Sequence, residues 1–352
     1  MKSILPSQVS FAQAEYDKKK KRTRRELFLE QMEQVPWARL IEVIEPHYPK
    51  GGKRGRPPTG WPRAIGLERM LRMYFVQQWY ALADEAVEDA VYDSQALRNF
   101  MSIDLSQQSV PDATTLMGFR HLLEANDLPQ AMLVEVNAML IERGLLRGWP
   151  TGWPRARAMS KGTLVDATLI AAPSSTKNQA HARDPEMHQA KKGNPWYFGL
   201  KAHIGVDKES GLVHTLVTTS ANVSDISQTP ALLHGQEQAA WLDTGYVGVE
   251  KREDMQTALS ANGQEVRWPI AKRRTTIEKM AEGWQKSLAQ ADEKLKAQVR
   301  ARVEHPFHVV KNIFRYKKTR YKGLAKNDSQ INVLFALSNL YMVRETLCPS
   351  RA

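Results

Sequence analysis

Residues 163–170 read TLVDATLI, an apolar and β-branched run broken by a single acid, Asp166. Such a run fits a buried strand. A carboxylate inside it must be paired, hydrogen-bonded or bound to a metal. Three stretches downstream have the same character: Trp196–Val206 (WYFGLKAHIGV), Leu212–Thr219 (LVHTLVTT) and Ala239–Asp243 (AAWLD). DKESG at 207–211 is the turn that joins the first two of these into a hairpin. Helical patterns cover 226–238 and 249–262, and Val266–Ala271 reads as a fifth strand. A charged helical stretch runs from about 276 through the 310s. Asp328 or Ser329 caps a last helix carrying Ile331, Leu334, Phe335 and Leu337. Three strands, helix, strand, helix, strand, helices describe an α/β mixed sheet begun by a meander, with helices packed on it.

Toward the N-terminus the pattern is helical. Residues 24–34 (RRELFLEQMEQ) predict a short helix with Leu27, Phe28 and Met32 as its apolar stripe, ended by Pro36. Residues 51–62 (GGKRGRPPTGWP) read as a linker or a nucleic-acid-touching loop. A long helix follows through Leu67, Met70, Leu71, Tyr74 and Phe75, and another near Asp84–Tyr92. SVPD at 109–112 is a break, with Asp112 as N-cap of a helix from Ala113; a further helix covers Pro129–Glu142. The hexapeptide TGWPRA occurs twice, at 59–64 and 151–156, each time in an expected linker, and reads as a loop insertion. Trp61, Trp149 and Trp153 sit among prolines there and could stack on bases, whereas Trp196 and Trp241 read as core.

The chain has 352 residues, enough for about two domains, and 42% of them are hydrophobic. No apolar run reaches the ~18 residues of a membrane span, and the start MKSILPSQVS lacks a signal-peptide core. The one cysteine, Cys348, excludes an internal disulfide framework and a multi-cysteine zinc site. A cytoplasmic protein with no membrane partner is expected. The net charge of +12 points to a polyanion. Residues 1–65 carry 14 basic and 7 acidic side chains, and residues 66–143 carry 5 and 12. Residues 296–326 hold ten basic side chains and one acid, Glu304, interleaved with Phe307, Phe314, Tyr316 and Tyr321. Two basic zones flanking an acidic segment suit two grips on a phosphate backbone. The run KKKKRTRR (Lys18, Lys19, Lys20, Lys21, Arg22, Arg24, Arg25) is either such a grip or a solvated tail.

Walker A, GxSxG, HExxH and EF-hand patterns are absent. Asp166 and Asp243 stand out because both lie on expected strands. The first and fourth strands of this order can lie side by side and bring both acids to one point. Glu304 is available as a third. Hard oxygen ligands suit Mg²⁺, and a pair of such ions drives phosphodiester chemistry. The spacing alone equally suits three structural ion-pair partners. His181, His188 and His203 read as surface or phosphate-contacting residues rather than metal ligands, and Asp184 and Glu186 as loop charges; Asp225 is a minor alternative for one acid of the triad.

Longer motifs narrow this choice. FLEQMEQ, VIEPHYPK, PDATTLMGFRHLLE, LVDATLIAAPSSTKN, RDPEMHQAKKGN, KAHIGVD, LVTTSAN, RARVEHPFHVVK and RYKGLAKND together span most of the chain. In these it resembles bacterial insertion-sequence transposases of the DDE class, in the InsH-type family named after insertion sequence five. The resemblance implies an RNase H-like mixed-sheet catalytic domain behind an N-terminal all-helical domain. It divides the chain into a basic DNA-contacting arm and linker (1–65), a helical DNA-binding and assembly domain (66–150) and the catalytic domain (160–345). It assigns Asp166, Asp243 and Glu304 as the catalytic, metal-holding acids. The third follows the pattern R-x3-E-x6-K, met by Arg300, Glu304 and Lys311, with Ala297 where the fuller pattern has Tyr. Arg300 and Lys311 are expected on the DNA backbone. The implied cofactor is a pair of Mg²⁺ ions, with Mn²⁺ able to substitute. The implied partners are double-stranded DNA, as terminal inverted repeats and target, and a second copy of the chain in a homodimer on DNA. Read from the residues alone, part of the apolar stripe of 66–143 (Leu67, Leu71, Tyr74, Phe75, Leu116, Phe119, Leu123) belongs to the core, and the module as a whole is the candidate for subunit pairing. The rival readings are a nuclease that only cuts and a non-catalytic DNA-binding repressor of the same stock.

Overall fold

The computed structural model describes residues 11–49, 65–146, 162–179, 181–235, 237–255 and 266–348. The 51–62 linker, both TGWPRA copies, Trp61, Trp149, Trp153 and the end of the expected 249–262 helix lie outside these. The chain divides into two compact units, residues 1–128 with 343–352 and residues 129–342.

The first unit is helical. It contains α1 (Phe11–Asp17), α2 (Arg24–Met32), α3 (Trp37–Ile44), α4 (Ile65–Tyr80), α5 (Asp84–Asp93), α6 (Gln95–Met101) and α7 (Ala113–Ala125). α2 starts on a capping box: the Thr23 hydroxyl accepts from the Glu26 amide and the Glu26 carboxylate accepts from the Thr23 amide. Its buried residues are Leu29 and Met32, whereas Leu27, expected in the apolar stripe, is exposed. Asp112 caps α7 as the sequence predicts, accepting from the Thr115 amide at 2.6 Å. Arg72 on α4 donates to Glu33, Glu68 and the Phe100 carbonyl, and its guanidinium lies over the Trp37 and Phe100 rings. Leu67, Leu71, Tyr74, Phe75, Leu116, Phe119 and Leu123, the apolar stripe of the acidic module, are all buried in the core, the expected place for any one of them. They are therefore already partnered, and the large apolar side chains that stay exposed among the module's described residues are Tyr92, Leu105 and Met117.

The second unit is built on a five-stranded mixed sheet. Its strands are β1 (Gly162–Ala171), β2 (His188–Lys191), β3 (Trp196–Asp207), β4 (Val213–Ser220) and β5 (Ala239–Trp241). Antiparallel β3 lies between β1 and β4, with β2 paired to its first residues, and β5 runs parallel to β1 on the far side. The 266–271 segment, read as a fifth strand, makes only single bridges, Arg267 to Ala239 and Ile270 to Leu242. The expected 226–238 helix shrinks to α9 (Thr229–Leu232) and one 3-10 turn before it. β2 is absent from the sequence reading. Together these elements give the expected RNase H-like mixed sheet behind a helical region.

α8 (Leu128–Glu142), grouped with the helical module by sequence, belongs almost wholly to this second unit. Its Asn137 and Asn339 of the last helix, Leu324–Leu347, share the Val213 carbonyl at 3.1 and 2.7 Å, and Asn339 accepts from the Val213 amide at 2.9 Å. That helix starts four residues before the expected cap. Its first amides, Gly323 and Leu324, donate to Asp184 and Glu186, so two presumed loop charges hold a helix N-terminus.

At Gly199 the sheet is at its tightest, because β3 pairs there with Ala171 of β1 and His188 of β2 at once. A Cβ at this position would lie 2.1 Å from the Ile170 carbonyl oxygen. Gly199→Ala should therefore destabilise the protein by about 1–3 kcal/mol, the cost of overpacking, read as a lower midpoint in thermal melts.

Candidate active site

β1 and β5 pair in parallel with Gly162 opposite Ala239 and Leu164 opposite Trp241. Carrying this register two residues further sets Asp243 beside Asp166, both on one face of the sheet. Each carboxylate is fixed through one oxygen. Asp166 Oδ1 accepts from the Ala167 amide at 2.7 Å. Asp243 Oδ1 accepts from the Thr244 hydroxyl at 2.8 Å and the Gly245 amide at 3.0 Å, capping the 3-10 turn Thr244–Tyr246. The other oxygens face a shared cation. Arg300 Nη2 lies 3.4 Å from Asp166 Oδ2 and 3.7 Å from Asp243 Oδ2.

Arg300 ends the helix Trp284–Arg300, which continues as a 3-10 turn and then as helix from Glu304. Val303, Phe307, Val310 and Phe314 are buried and seat this segment in the unit's core. Glu304 is exposed, yet its charge and that of Asp243 both raise the pKa of Asp166. The largest cause is burial, which overrides the Ala167 amide and Arg300 and pushes Asp166 up to about 6. Asp243 is held below the usual carboxylate range by its turn and by Arg300, against a desolvation cost. Lys311 lies in a π-helical turn, Val309–Ile313. Its ammonium donates to Thr168 Oγ1 at 2.7 Å and to the Leu169 carbonyl at 2.6 Å, stapling the segment to β1.

Among the described residues no three His, Cys, Asp or Glu side chains are grouped as a metal site. The two aspartates nevertheless fit a hard divalent cation. Their free oxygens converge on a position that a guanidinium fills, and one of them is a desolvated carboxylate whose charge lacks full compensation. Glu304 adds its field but not, in this arrangement, a third ligand.

Residues 157–340 match the family described as transposase DDE domain, and residues 16–122 match a transposase domain (DUF772). The chain belongs to the DDE transposase family. No solved structure matches it. A DDE transposase acts on DNA and works with a divalent metal ion. Among the described residues of this transposase no helix is long and apolar enough to cross a membrane.

Other residues singled out by sequence fall in different places. His203, expected at the surface, is fully buried; desolvation holds it down at about 4 and Asp225 opposes that shift. Asp225 pairs with Lys201 at 2.9 Å and lies 3.6 Å from His203. His181 and His188 are exposed. In the basic run, Lys19 pairs with Glu26, Arg22 with Glu30, and Arg25 stacks on Tyr80; Lys18, Lys20, Lys21 and Arg24 are exposed. Sequence reading passed over Tyr246, a buried residue whose hydroxyl feels Asp166, Asp225 and Asp243 together and is raised first by burial. Its place one residue after Gly245 in the Asp243 turn was the available signal.

The raised pKa of Asp166 makes the site a stability liability. Between about pH 4 and 6 the folded state holds a proton that the unfolded chain has lost, so stability falls as pH rises through that window. Above it the full cost, about 2–3 kcal/mol, is present. Asp166→Asn should melt higher than the wild-type chain at pH 8 in EDTA, with the gap closing toward pH 4.

Proposed function

We propose that this transposase cuts at the ends of an insertion sequence and joins the freed 3′-OH to target DNA, with Asp166, Asp243 and Glu304 as its catalytic acids. The observation that carries this reading is the pair of aspartates fixed side by side through Oδ1, their Oδ2 atoms turned to one cation position. Asp166 and Asp243 would hold two Mg²⁺ ions, with Mn²⁺ able to serve instead, and Glu304 would complete one site. When bound, such ions activate a water or hydroxyl nucleophile and stabilise the leaving oxygen of a phosphodiester. The protein's own part is placement. The Ala167 amide and the Thr244–Tyr246 turn keep the carboxylates aimed. Lys311 fixes the segment that carries Glu304 against β1. Arg300 holds the two carboxylates together, and a backbone phosphate is an equally good partner for the same guanidinium.

The helical unit, with exposed Lys18, Lys20, Lys21 and Arg24, is the proposed DNA-gripping arm. Two element ends must be brought together, so a homodimer on DNA and a cytoplasmic site of action belong to this reading. With Leu67, Tyr74, Phe119 and their neighbours buried in the helical unit's own core, pairing through that unit would use its remaining exposed surface.

The deciding experiment incubates the protein with its own element ends and Mg²⁺ and maps cleaved and joined products. Asp166→Ala, Asp243→Ala and Glu304→Gln should each abolish both products while DNA binding in EDTA stays within a few-fold. Normal turnover by any one removes that residue from the set, and cleavage without joining would favour a nuclease. Replacing Lys18, Lys20 and Lys21 with Ala should weaken binding to all duplexes alike and flatten the salt dependence by about 0.9 per lost phosphate contact. A lost preference for element ends at unchanged non-specific affinity would mean that the run reads sequence.

A further inference from the structure

The hairpin of β2 and β3 carries side chains that the chemistry above does not use. Trp196 is 65% exposed and Tyr197 39%, although both begin a strand that is buried from Gly199 onward. Trp196 is expected in the core by sequence, and the structure puts it at the turn end of the hairpin. It faces Lys191 across the pair, and the Lys192 amide closes the connection on the Pro195 carbonyl at 3.2 Å. From His188 to Val206 the chain has three lysines and no acid. The nearest preceding acids, Asp184 and Glu186, are taken by the amides of Gly323 and Leu324. Arg183 lies over the Phe198 ring, two residues from Trp196 on the same face.

Register relates this hairpin to the acids. Asp166 faces Ile204 across the β1–β3 pair, and the pairing runs unbroken from there to Gly199. Trp196 is eight positions before Ile204, an even number, so it shares the face of Asp166 at roughly 26 Å along the strand. Lys311, on Thr168 and Leu169, lies between them, and Lys192 is near enough for its charge to help lower the Lys311 pKa after burial. A positive track thus leads along one face from the aspartates past Lys311 to Lys192, Lys191 and an uncovered indole. At the hairpin end, where three lysines stand without an acid from His188 to Val206, its sign suits a polyanion and opposes a hydrophobic protein partner.

We propose that the β2–β3 hairpin is a DNA-contacting arm of the catalytic domain, with Lys191 and Lys192 on phosphates and Trp196 stacked on an unpaired base near the strand end. This rests on the transposase reading and extends it to a contact away from the acids. A solvated lysine side chain gives counterion release, and an exposed indole gives sequence-tolerant stacking.

The test uses the full chain in EDTA, so that no cleavage intervenes, and a fluorescent duplex of its own element end with a three-nucleotide overhang. Trp196→Ala should weaken binding about tenfold with an unchanged salt slope, and Trp196→Phe should recover most of the loss. Lys191→Ala with Lys192→Ala should lower the salt slope by about 2. Thermal melts matching the wild type confirm that these exposed positions do not carry the fold. Wild-type affinity in Trp196→Ala overturns the proposal. So does a Trp196→Ala protein that binds DNA normally but sediments at lower mass, which would place the indole between two copies of the chain. Absence of DNA binding by the wild-type chain would instead overturn the transposase reading beneath it.

Discussion

Two carboxylates held side by side on neighbouring strands repel each other, and the arrangement around them follows from that constraint. Parallel pairing of β1 with β5 forces Asp166 and Asp243 together, and Arg300 offsets their charge by lying between the Oδ2 atoms. The offset is partial. Asp166 is the more enclosed of the two, with a side chain 17% exposed against 43% for Asp243, and it is Asp166 whose proton affinity rises. An interior ion pair stabilises only when its geometry repays desolvation. Here one arginine serves two acids at 3.4 and 3.7 Å, longer than a good charge-assisted hydrogen bond. The site is poised for a stronger, more compact cation.

The helical segment from Trp284 to Ile313 transmits this constraint to the rest of the domain. Its apolar side seats Val303, Phe307 and Val310 in the core, so Arg300 and Glu304, one turn apart, are brought to the acid end together. Seven residues beyond Glu304, Lys311 fastens the segment to β1 within two and three residues of Asp166. The π-helical turn there widens the helix locally. Such turns recur at functional sites because they shift a side chain out of helical register without breaking the helix. The spacing R-x3-E-x6-K thereby acquires a physical sense: the first and last members hold the strand and its carboxylate, and the middle one is left exposed.

Sequence made the sheet legible where strands are long and apolar. TLVDATLI and WYFGLKAHIGV fall within observed strands, LVHTLVTT does so from its second residue, and the 207–211 turn closes as its Asp and Gly predict, with Gly211 at φ +75°. The acid pair was legible because a charge in such a run is costly. Elements set by tertiary contact were not legible. β2 (HQAK) has no β-branched residue and forms because β3 offers an edge. Asp184 and Glu186 look like loop charges until the helix whose amides they hold is seen. His203 and Trp196 were misplaced for one reason, that polarity alone does not set burial. A histidine on an inner strand is buried, and a tryptophan at a hairpin end is not.

The same lesson bears on how two DNA ends are held. An apolar stripe in an acidic helical module invites a partner, yet Leu67, Tyr74, Phe119 and their neighbours fill the module itself. Several of the exposed apolar side chains that remain sit on elements that carry lysines. Trp284, Leu288 and Leu295 are exposed on a helix that also carries Lys286, Lys294 and Lys296, and Trp196 stands opposite Lys191. On that helix Lys286 is paired with Glu282 and Lys296 with Asp292 and Glu293, so of the two surfaces the hairpin is the one whose cations are left for a polyanion. The proposed pairing of two copies would then draw on the DNA: each duplex would neutralise positive faces that keep the free chains apart. Assembly driven in this way would depend on ionic strength and on the presence of element ends.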